Sequence, residues 1–306
     1  MDSKEKIIEK IIRIRIAQLL VNEKYKMGDF KIPIHLAFGH ESLAVAVDSA
    51  LENDDSLVLP HRNIHYNLAR MNEFKEIMDE YDLKESGLAR GHLGSMNLSN
   101  TKKNIVYSSS ILGNNIPVST GFALGNKLYK NNRVVFIVTG DGAIEEGSFY
   151  ESLVFMKSNN LNVVIIIENN QWSLGTMINE RRSEIDLKQF TKSLGIEYLS
   201  LNGNDPFEYI EKISSCREKS IKNNTPTLIE VELTTLGYWY EVREDYPNGK
   251  YINYHAGPAK SVKMEKYPVI SISNDDPLFV LKKYLSGKEL NKISSRIFKQ
   301  LESEVL

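Results

Sequence analysis

Val134-Val135-Phe136-Ile137-Val138-Thr139-Gly140-Asp141-Gly142-Ala143 begins with five apolar residues and ends in a turn that sets one carboxylate between two glycines. A second run, Val163-Val164-Ile165-Ile166-Ile167, ends the same way, in Glu168-Asn169-Asn170-Gln171-Trp172, with Asn169 standing 28 positions after Asp141. Neither run alternates apolar with polar residues, as expected of strands buried on both faces. The stretch between them, Glu145 to Lys157, reads as a helix. Two such strands joined by a helix form a parallel unit whose crossover is nearly always right-handed, so both turns are expected at the same edge of the sheet. Ligands of open parallel sheets bind at that edge.

Outward from this unit the same alternation continues. Pro117 to Tyr129 reads as a helix, and Tyr198-Leu199-Ser200-Leu201, the helix after Asn204-Asp205-Pro206, and Leu228-Ile229-Glu230-Val231 follow in order. The expected fold class is α/β, a doubly wound, mostly parallel sheet with helices on both faces. Upstream, Ile7-Ile8, Ile11-Ile12, Ile16 and Leu19-Leu20 repeat at helical spacing. His35 to Leu51 reads as helical too, and the turn Glu52-Asn53-Asp54-Asp55 parts it from the apolar Leu57-Val58-Leu59. A loop rich in Gly, Ser and Asn runs from Gly87 to Asn115. The tail after Gly257 reaches a helix start at Asn274-Asp275-Asp276-Pro277 and ends with Ile293, Ile297, Leu301 and Val305 at helical intervals. With no internal repeat or low-complexity linker, residues 1–306 are expected to form one domain, with a helical extension to about residue 56 and a helical tail from about residue 258.

Composition narrows the class of function. The 38 Lys and Arg against 40 Asp and Glu give a net charge of −2, and 42% hydrophobic with 25% charged residues excludes a disordered or collagen-like chain. A near-neutral chain without a basic block argues against nucleic acid as a partner. Met1-Asp2-Ser3-Lys4-Glu5-Lys6 runs straight into an amphipathic pattern, which fits neither a secretory signal nor a membrane anchor, so the expected location is cytoplasmic. Cys216 is the single cysteine, so no internal disulfide forms, and it reads as a plain packed thiol.

The two turns carry the chemistry. Asp141 offers a carboxylate, Asn170 a side-chain carbonyl and Trp172 a main-chain carbonyl, all hard oxygen donors suited to magnesium. Gly140 and Gly142 allow close backbone approach, and the N–H groups near Ala143 and Ile144 open the next helix, where a phosphate is favoured. A lone Gly-Asp-Gly most often marks an ordinary turn. Its conjunction with two apolar strands, a helix between them and an Asn-Asn pair at this distance reads as a site for a magnesium diphosphate.

These residues resemble a known family. Gly140-Asp141-Gly142 with Asn169-Asn170 is similar to the thiamine-diphosphate signature. His35-Leu36-Ala37-Phe38-Gly39-His40-Glu41-Ser42, His61-Arg62, Gly91-His92-Leu93-Gly94-Ser95-Met96, Ile111-Leu112-Gly113 with Pro117, and Asp276-Pro277-Leu278 with Tyr284-Leu285 fall in matching order. Together they resemble the α-subunit of the thiamine-diphosphate-dependent 2-oxo acid dehydrogenase first component, of the pyruvate and acetoin dehydrogenase type. The resemblance implies that Asp141, Asn170 and the Trp172 carbonyl hold magnesium. It implies that Gly140, Gly142 and Ala143 by main chain, and Arg62 by its guanidinium fork, bind the diphosphate. Leu174 would be the apolar wedge under the bent cofactor, and the backbone at Ser110 and Leu112 would meet the aminopyrimidine. It further implies decarboxylation of a 2-oxo acid and transfer of the acyl unit. The pyrimidine-binding module would come from a separate β-like subunit, in a heterotetramer that would in turn serve a lipoyl acyltransferase.

Three departures from that pattern stand out. The family's histidine-rich loop, Arg-x-His-Gly-His-Ser, is replaced by Thr234-Thr235-Leu236-Gly237-Tyr238-Trp239-Tyr240-Glu241, and the nearest histidine is His255 in Asn253-Tyr254-His255-Ala256-Gly257-Pro258, a layout more like transketolases. Gly91-His92-Leu93-Gly94 is similar to a transketolase turn. His65 falls one place later than the histidine that dehydrogenases show after the arginine. His92, His255 and His65 are therefore the candidates for catalytic contact, whereas His35 and His40 read as packing or surface residues of a helix. His61 and His65 are four apart, but no third zinc ligand follows them, so zinc is not expected. Two rival readings remain at this level: the amino-terminal half of a split transketolase-like enzyme moving a two-carbon ketol unit between sugar phosphates, and a non-catalytic scaffold.

Overall fold

The computed structural model describes residues 3–52, 54–264 and 266–305. Met1, Asp2 and Asn53 of the turn after residue 51 lie outside the described residues. In chain order the elements begin with helices α1 (Ser3–Lys26) and α2 (Glu41–Ala50), strand β1 (Ser56–Pro60), helices α3 (Ile64–Arg70) and α4 (Phe74–Tyr81), strand β2 (Ile105–Ser109) and helix α5 (Asn115–Leu128). Strand β3 (Val135–Gly140), helix α6 (Gly147–Ser158) and strand β4 (Val163–Asn169) form the central unit. A small hairpin of β5 (Trp172–Ser173) and β6 (Thr176–Met177) follows, then α7 (Ile178–Arg181), α8 (Leu187–Ser193), β7 (Glu197–Leu201), α9 (Pro206–Asn223) and β8 (Thr227–Glu232). The chain closes with the hairpin β9 (Trp239–Arg243) and β10 (Tyr246–Ile252), then α10 (Pro277–Val280) and α11 (Gly287–Val305).

Six strands form one sheet in the order β2-β1-β3-β4-β8-β7, every neighbouring pair parallel. The apolar runs lie at its centre because both faces are covered. Phe136, Val138, Val164 and Ile166 pack into the core shared with α1, α2, α9 and α11, whereas Val135, Ile137, Val163, Ile165 and Ile167 pack into a second core under α5, α6 and α8. The period of two appears in which core each residue joins, since both cores are apolar. Burying each of these aliphatic side chains contributes about 1.5–3 kcal/mol.

Helix boundaries follow local chemistry. Asp205 accepts the N–H groups of Phe207 and Glu208 ahead of Pro206 at the first turn of α9, and Asp276 accepts the N–H of Leu278 ahead of Pro277 in α10. Leu290, Ile293, Ile297 and Leu301 form the buried stripe by which α11 packs against α1.

Several sequence expectations are corrected. The helix expected from His35 begins only at Glu41, and residues 35–40 form a loop. Gly39 has φ +96°, and a Cβ there would fall 2.1 Å from the Thr234 carbonyl oxygen, so this loop passes too close to the chain after β8 to continue as a helix. The stretch from Gly87 to Asn115 is not all loop, since β2 lies within it as an edge strand beside β1. Ala143 and Ile144 do not open the long helix. They lie in a single 3₁₀ turn, Ala143–Glu145, ahead of α6. The β9–β10 hairpin was not legible in the sequence.

Candidate active site

The carboxyl ends of the central strands meet a cleft of about 640 Å³. In the β3–β4 register Gly140 stands opposite Glu168, so the chain leaves the sheet at Asp141 and at Asn170 side by side. Strand alternation divides the Asn-Asn pair: Asn170 lines this cleft, while Asn169 turns away and donates to Glu230 Oε1 at 2.7 Å.

Asp141 is buried, with Oδ2 2.9 Å from Arg181 Nη2. Burial pushes its carboxyl up to about 7, and the Arg181 guanidinium offsets that only in part. Asn170 has its orientation fixed by an obligate donor, because the Trp172 backbone N–H donates to Asn170 Oδ1 at 3.0 Å. The two turns touch closely: a Cβ at Gly142 would lie 2.6 Å from Ser173 Oγ. Gly140 has no atom within 4 Å of an added Cβ, which leaves open space beside its backbone. Leu174, at the tip of the β5–β6 hairpin, adopts φ +54° and stays 67% exposed while lining the cleft, an apolar knob held out by a left-handed turn. Thr139 Oγ1 is buried at the cleft without a hydrogen-bond partner among the described residues.

Arg62, Leu112, Gly142, Ala143, Trp172 and His255 also line the cleft, as expected of them. The Arg62 fork is partly committed, since Nη1 donates to the Leu36 carbonyl and Nη2 to the His255 carbonyl. Ser110 does not line it. Its N–H donates to Asn97 Oδ1 at 2.9 Å. His92 does not line it either: it is exposed on a loop whose N–H groups at Ala89, Gly91, Leu93 and Gly94 all converge on the Glu80 carboxylate. His65 is fully buried beneath the cleft, with Nε2 3.1 Å from Glu168 Oε1, so direct contact with a cleft ligand is replaced by contact through Glu168.

The buried carboxylate, the oriented amide oxygen, the close-set glycine turns and the apolar knob all line this one cleft. The dehydrogenase E1 component model covers residues 10–236. The chain belongs to that family. It is 31% identical over 208 residues to the pyruvate dehydrogenase E1 component subunit alpha of Rickettsia bellii, a match covering 68% of this chain and 64% of the relative. With the corresponding subunit of Rickettsia conorii it shares 27% identity over 283 residues, covering 92% and 82%. The match thus spans just under two thirds of the Rickettsia bellii relative. Among solved structures, transketolase of Campylobacter jejuni aligns over 98% of this chain and 49% of its own length, with a TM-score of 0.60 and 18% identity. A transketolase variant of Pichia stipitis gives 0.63 and 17%, over 99% and 46%. At these identities the likeness is one of fold, and it is the doubly wound fold described above.

Five of the six histidines of this family member fall into two groups. His35, His61 and His255 bring one nitrogen each within 4.8 Å of one another, and His61 and His255 line the cleft. Burial, and then the Arg62 charge, hold His61 and His255 down at about 4 and push His35 lower still, so all three are neutral hydrogen-bonding rings at neutral pH. The second group is His40, His65 and Glu168. His61 and His65, four apart in sequence, therefore belong to different clusters.

Sequence reasoning missed several residues. His40 is no packing residue of a helix: it lines the cleft and contacts Glu168. Glu168 itself accepts from Tyr66, His40 and His65. Burial opposes its ionisation, but the two histidines outweigh that and hold its carboxyl well below the usual range. Its signal was present, as one charge closing a five-residue apolar run. Arg181 and Thr235 carried none, because only the fold brings them to Asp141 and Asn170.

Proposed function

We propose that the chain supplies the diphosphate-binding module of a thiamine-diphosphate-dependent enzyme, an α-like subunit that decarboxylates a 2-oxo acid and passes on the acyl unit with a β-like partner. The observation that carries this reading is the juxtaposition of Asp141 and Asn170 beside the Leu174 knob in one cleft. The donor chemistry fits a magnesium diphosphate. Asp141, the Asn170 side-chain oxygen and the Trp172 carbonyl would hold the ion, and a buried carboxylate raised to about 7 is a group that a divalent cation would return to its charged form. Gly140 leaves main-chain room for the diphosphate, which Gly142 and Ala143 would meet by main chain, and Thr139 Oγ1 is a polar atom without a hydrogen-bond partner among the described residues at the same cleft.

When bound, thiamine diphosphate supplies carbanion stabilisation. The chain's own part is geometric and electrostatic. Leu174 would press on the bound cofactor from an apolar tip, Leu112 would present backbone to it, and Arg62 would set a fixed positive charge on the cleft wall. His61 and His255, neutral at pH 7, would donate or accept hydrogen bonds to substrate without adding charge. The β-like subunit would complete the cofactor site, in a heterotetramer open to a lipoyl acyltransferase.

The histidine trio favours a second reading, ketol transfer between sugar phosphates, because neutral rings side by side suit a hydroxyl-rich substrate. The test is to purify the chain with its co-purifying subunit. Decarboxylation of 2-oxo acids with an artificial electron acceptor is then compared with ketol transfer from a ketose phosphate. Turnover of 2-oxo acids is expected, and turnover of the ketose alone would replace the first reading with the second.

A further inference from the structure

Asn170 does not stand alone at the cleft. Its Nδ2 lies 2.8 Å from Thr235 Oγ1, Thr235 Oγ1 lies 2.8 Å from His40 Nε2, and His40 Nδ1 lies 3.2 Å from Glu168 Oε1. The polarity of this chain is determined from both ends. The Trp172 N–H can only donate, so the Asn170 oxygen faces it and the Asn170 nitrogen faces Thr235. Thr235 then accepts from Asn170, and its own hydrogen serves His40 Nε2 when that nitrogen is bare and the His40 proton sits on Nδ1, facing the Glu168 carboxylate. That arrangement satisfies all four contacts, and rotating the Asn170 amide by a half-turn would set its NH2 group against the Trp172 N–H.

We propose that Glu168, His40 and Thr235 are positioning residues whose hydrogen-bond relay locks the Asn170 amide with its oxygen presented to the metal. The relay draws on three separate elements: the loop before α2, the end of β4 and the chain after β8. Its anchor is held from two further sides, because Tyr66 Oη donates to the same Glu168 oxygen at 2.9 Å and His65 Nε2 lies 3.1 Å from it. His40, His65 and Thr235 have no solvent exposure, so water cannot replace a missing member. A group that orients a metal ligand in this manner changes metal affinity by about 10–100-fold when removed.

This rests on the magnesium diphosphate reading, and the test separates the two. In the full chain with its co-purifying subunit, magnesium is titrated at fixed thiamine diphosphate and followed by tryptophan fluorescence, since Trp172 adjoins the site. Thr235→Val keeps the shape of the side chain and removes the hydroxyl. It is expected to raise the half-saturating magnesium concentration about 10–100-fold, while Thr235→Ser restores the wild-type value and both variants melt with the wild type. If the wild type shows no magnesium-dependent binding, the diphosphate reading fails. If it does and Thr235→Val matches it, the relay fails while the reading stands. A measurement free of any variant's folding is ¹⁵N NMR of the histidines in the wild type: His40 protonated on Nδ1 and bare at Nε2 is expected, and the opposite tautomer overturns the proposal.

Discussion

Two of the buried charged clusters among the described residues are built to opposite ends. At the junction of α1, α2 and the tail, Arg15 is fully enclosed. Its Nε is 2.5 Å from Glu41 Oε1, its Nη2 is 2.9 Å from Asp276 Oδ1, and Nη1 donates to the Pro268 carbonyl. The carboxylates are completed by N–H groups of Gly39, Ile270, Ser271 and Leu278. Burial alone would lower the Arg15 pKa, but Asp276 and Glu41 together hold its charge above the ordinary value. At the cleft the account does not close. Asp141 is a carboxylate that burial leaves half-neutral near pH 7, and Thr139 Oγ1, His35 Nδ1 and His65 Nδ1 lack partners among the described residues. A satisfied cluster holds elements together, and an unsatisfied one at a cleft waits for a ligand.

The comparison breaks most visibly at Arg15. Arg15→Met leaves Glu41 and Asp276 buried without their cation, and a loss of about 3–5 kcal/mol in urea unfolding is expected. Cofactor affinity in the folded fraction should be unchanged, and an altered affinity would mean that the two clusters are coupled. Next in size, Asp141→Ala is expected to weaken magnesium-dependent thiamine diphosphate binding by at least about 100-fold with no loss of stability. Calorimetric titration showing wild-type affinity would remove Asp141 from the site.

The most gradual effect is a pH dependence of the ligand-free chain. Asp141 ionises near 3.8 when unfolded and near 7 when folded, so between those values the folded state binds more protons. The stability this carboxyl contributes is therefore present below about pH 4 and lost as the pH rises through 7, at up to about 1.4 kcal/mol per unit. Asp141→Asn removes the titration, so its stability relative to wild type should climb over that range. A constant difference would show that Asp141 is not destabilised by burial. His61 and His255, at 6.5 when unfolded and held near 4 in the fold, add a slope of opposite sign to both chains, and it cancels in the difference between Asp141→Asn and wild type.

Much of the fold was legible in the chain. Val134 to Val138 and Val163 to Ile167 became the adjacent parallel strands expected of them, and Asp141 and Asn170 met at one edge. The caps at Asp205 and Asp276 were readable from Asp-Pro pairs. The misses share one cause. His35 to His40 looked helical because its residues suit a helix locally, whereas the contact of Gly39 with Thr234, far away in sequence, decides its path. His92 looked poised because its glycine-flanked turn resembles one of transketolases, whereas the Glu80 carboxylate that shapes that turn holds it away from the cleft lining.

Periodicity and turn chemistry are local, so the order of residues by itself determined the parallel α/β sheet, the two turns at its edge and the helix caps. Which polar groups meet across the sheet edge was decided only by tertiary structure. The Arg181 partner of Asp141, the separation of His61 from His65, and the path from Glu168 through His40 and Thr235 to Asn170 depend on loops from distant elements arriving within 3.2 Å of one another. Hydrogen bonds act over that range alone, and no spacing along the chain encodes it.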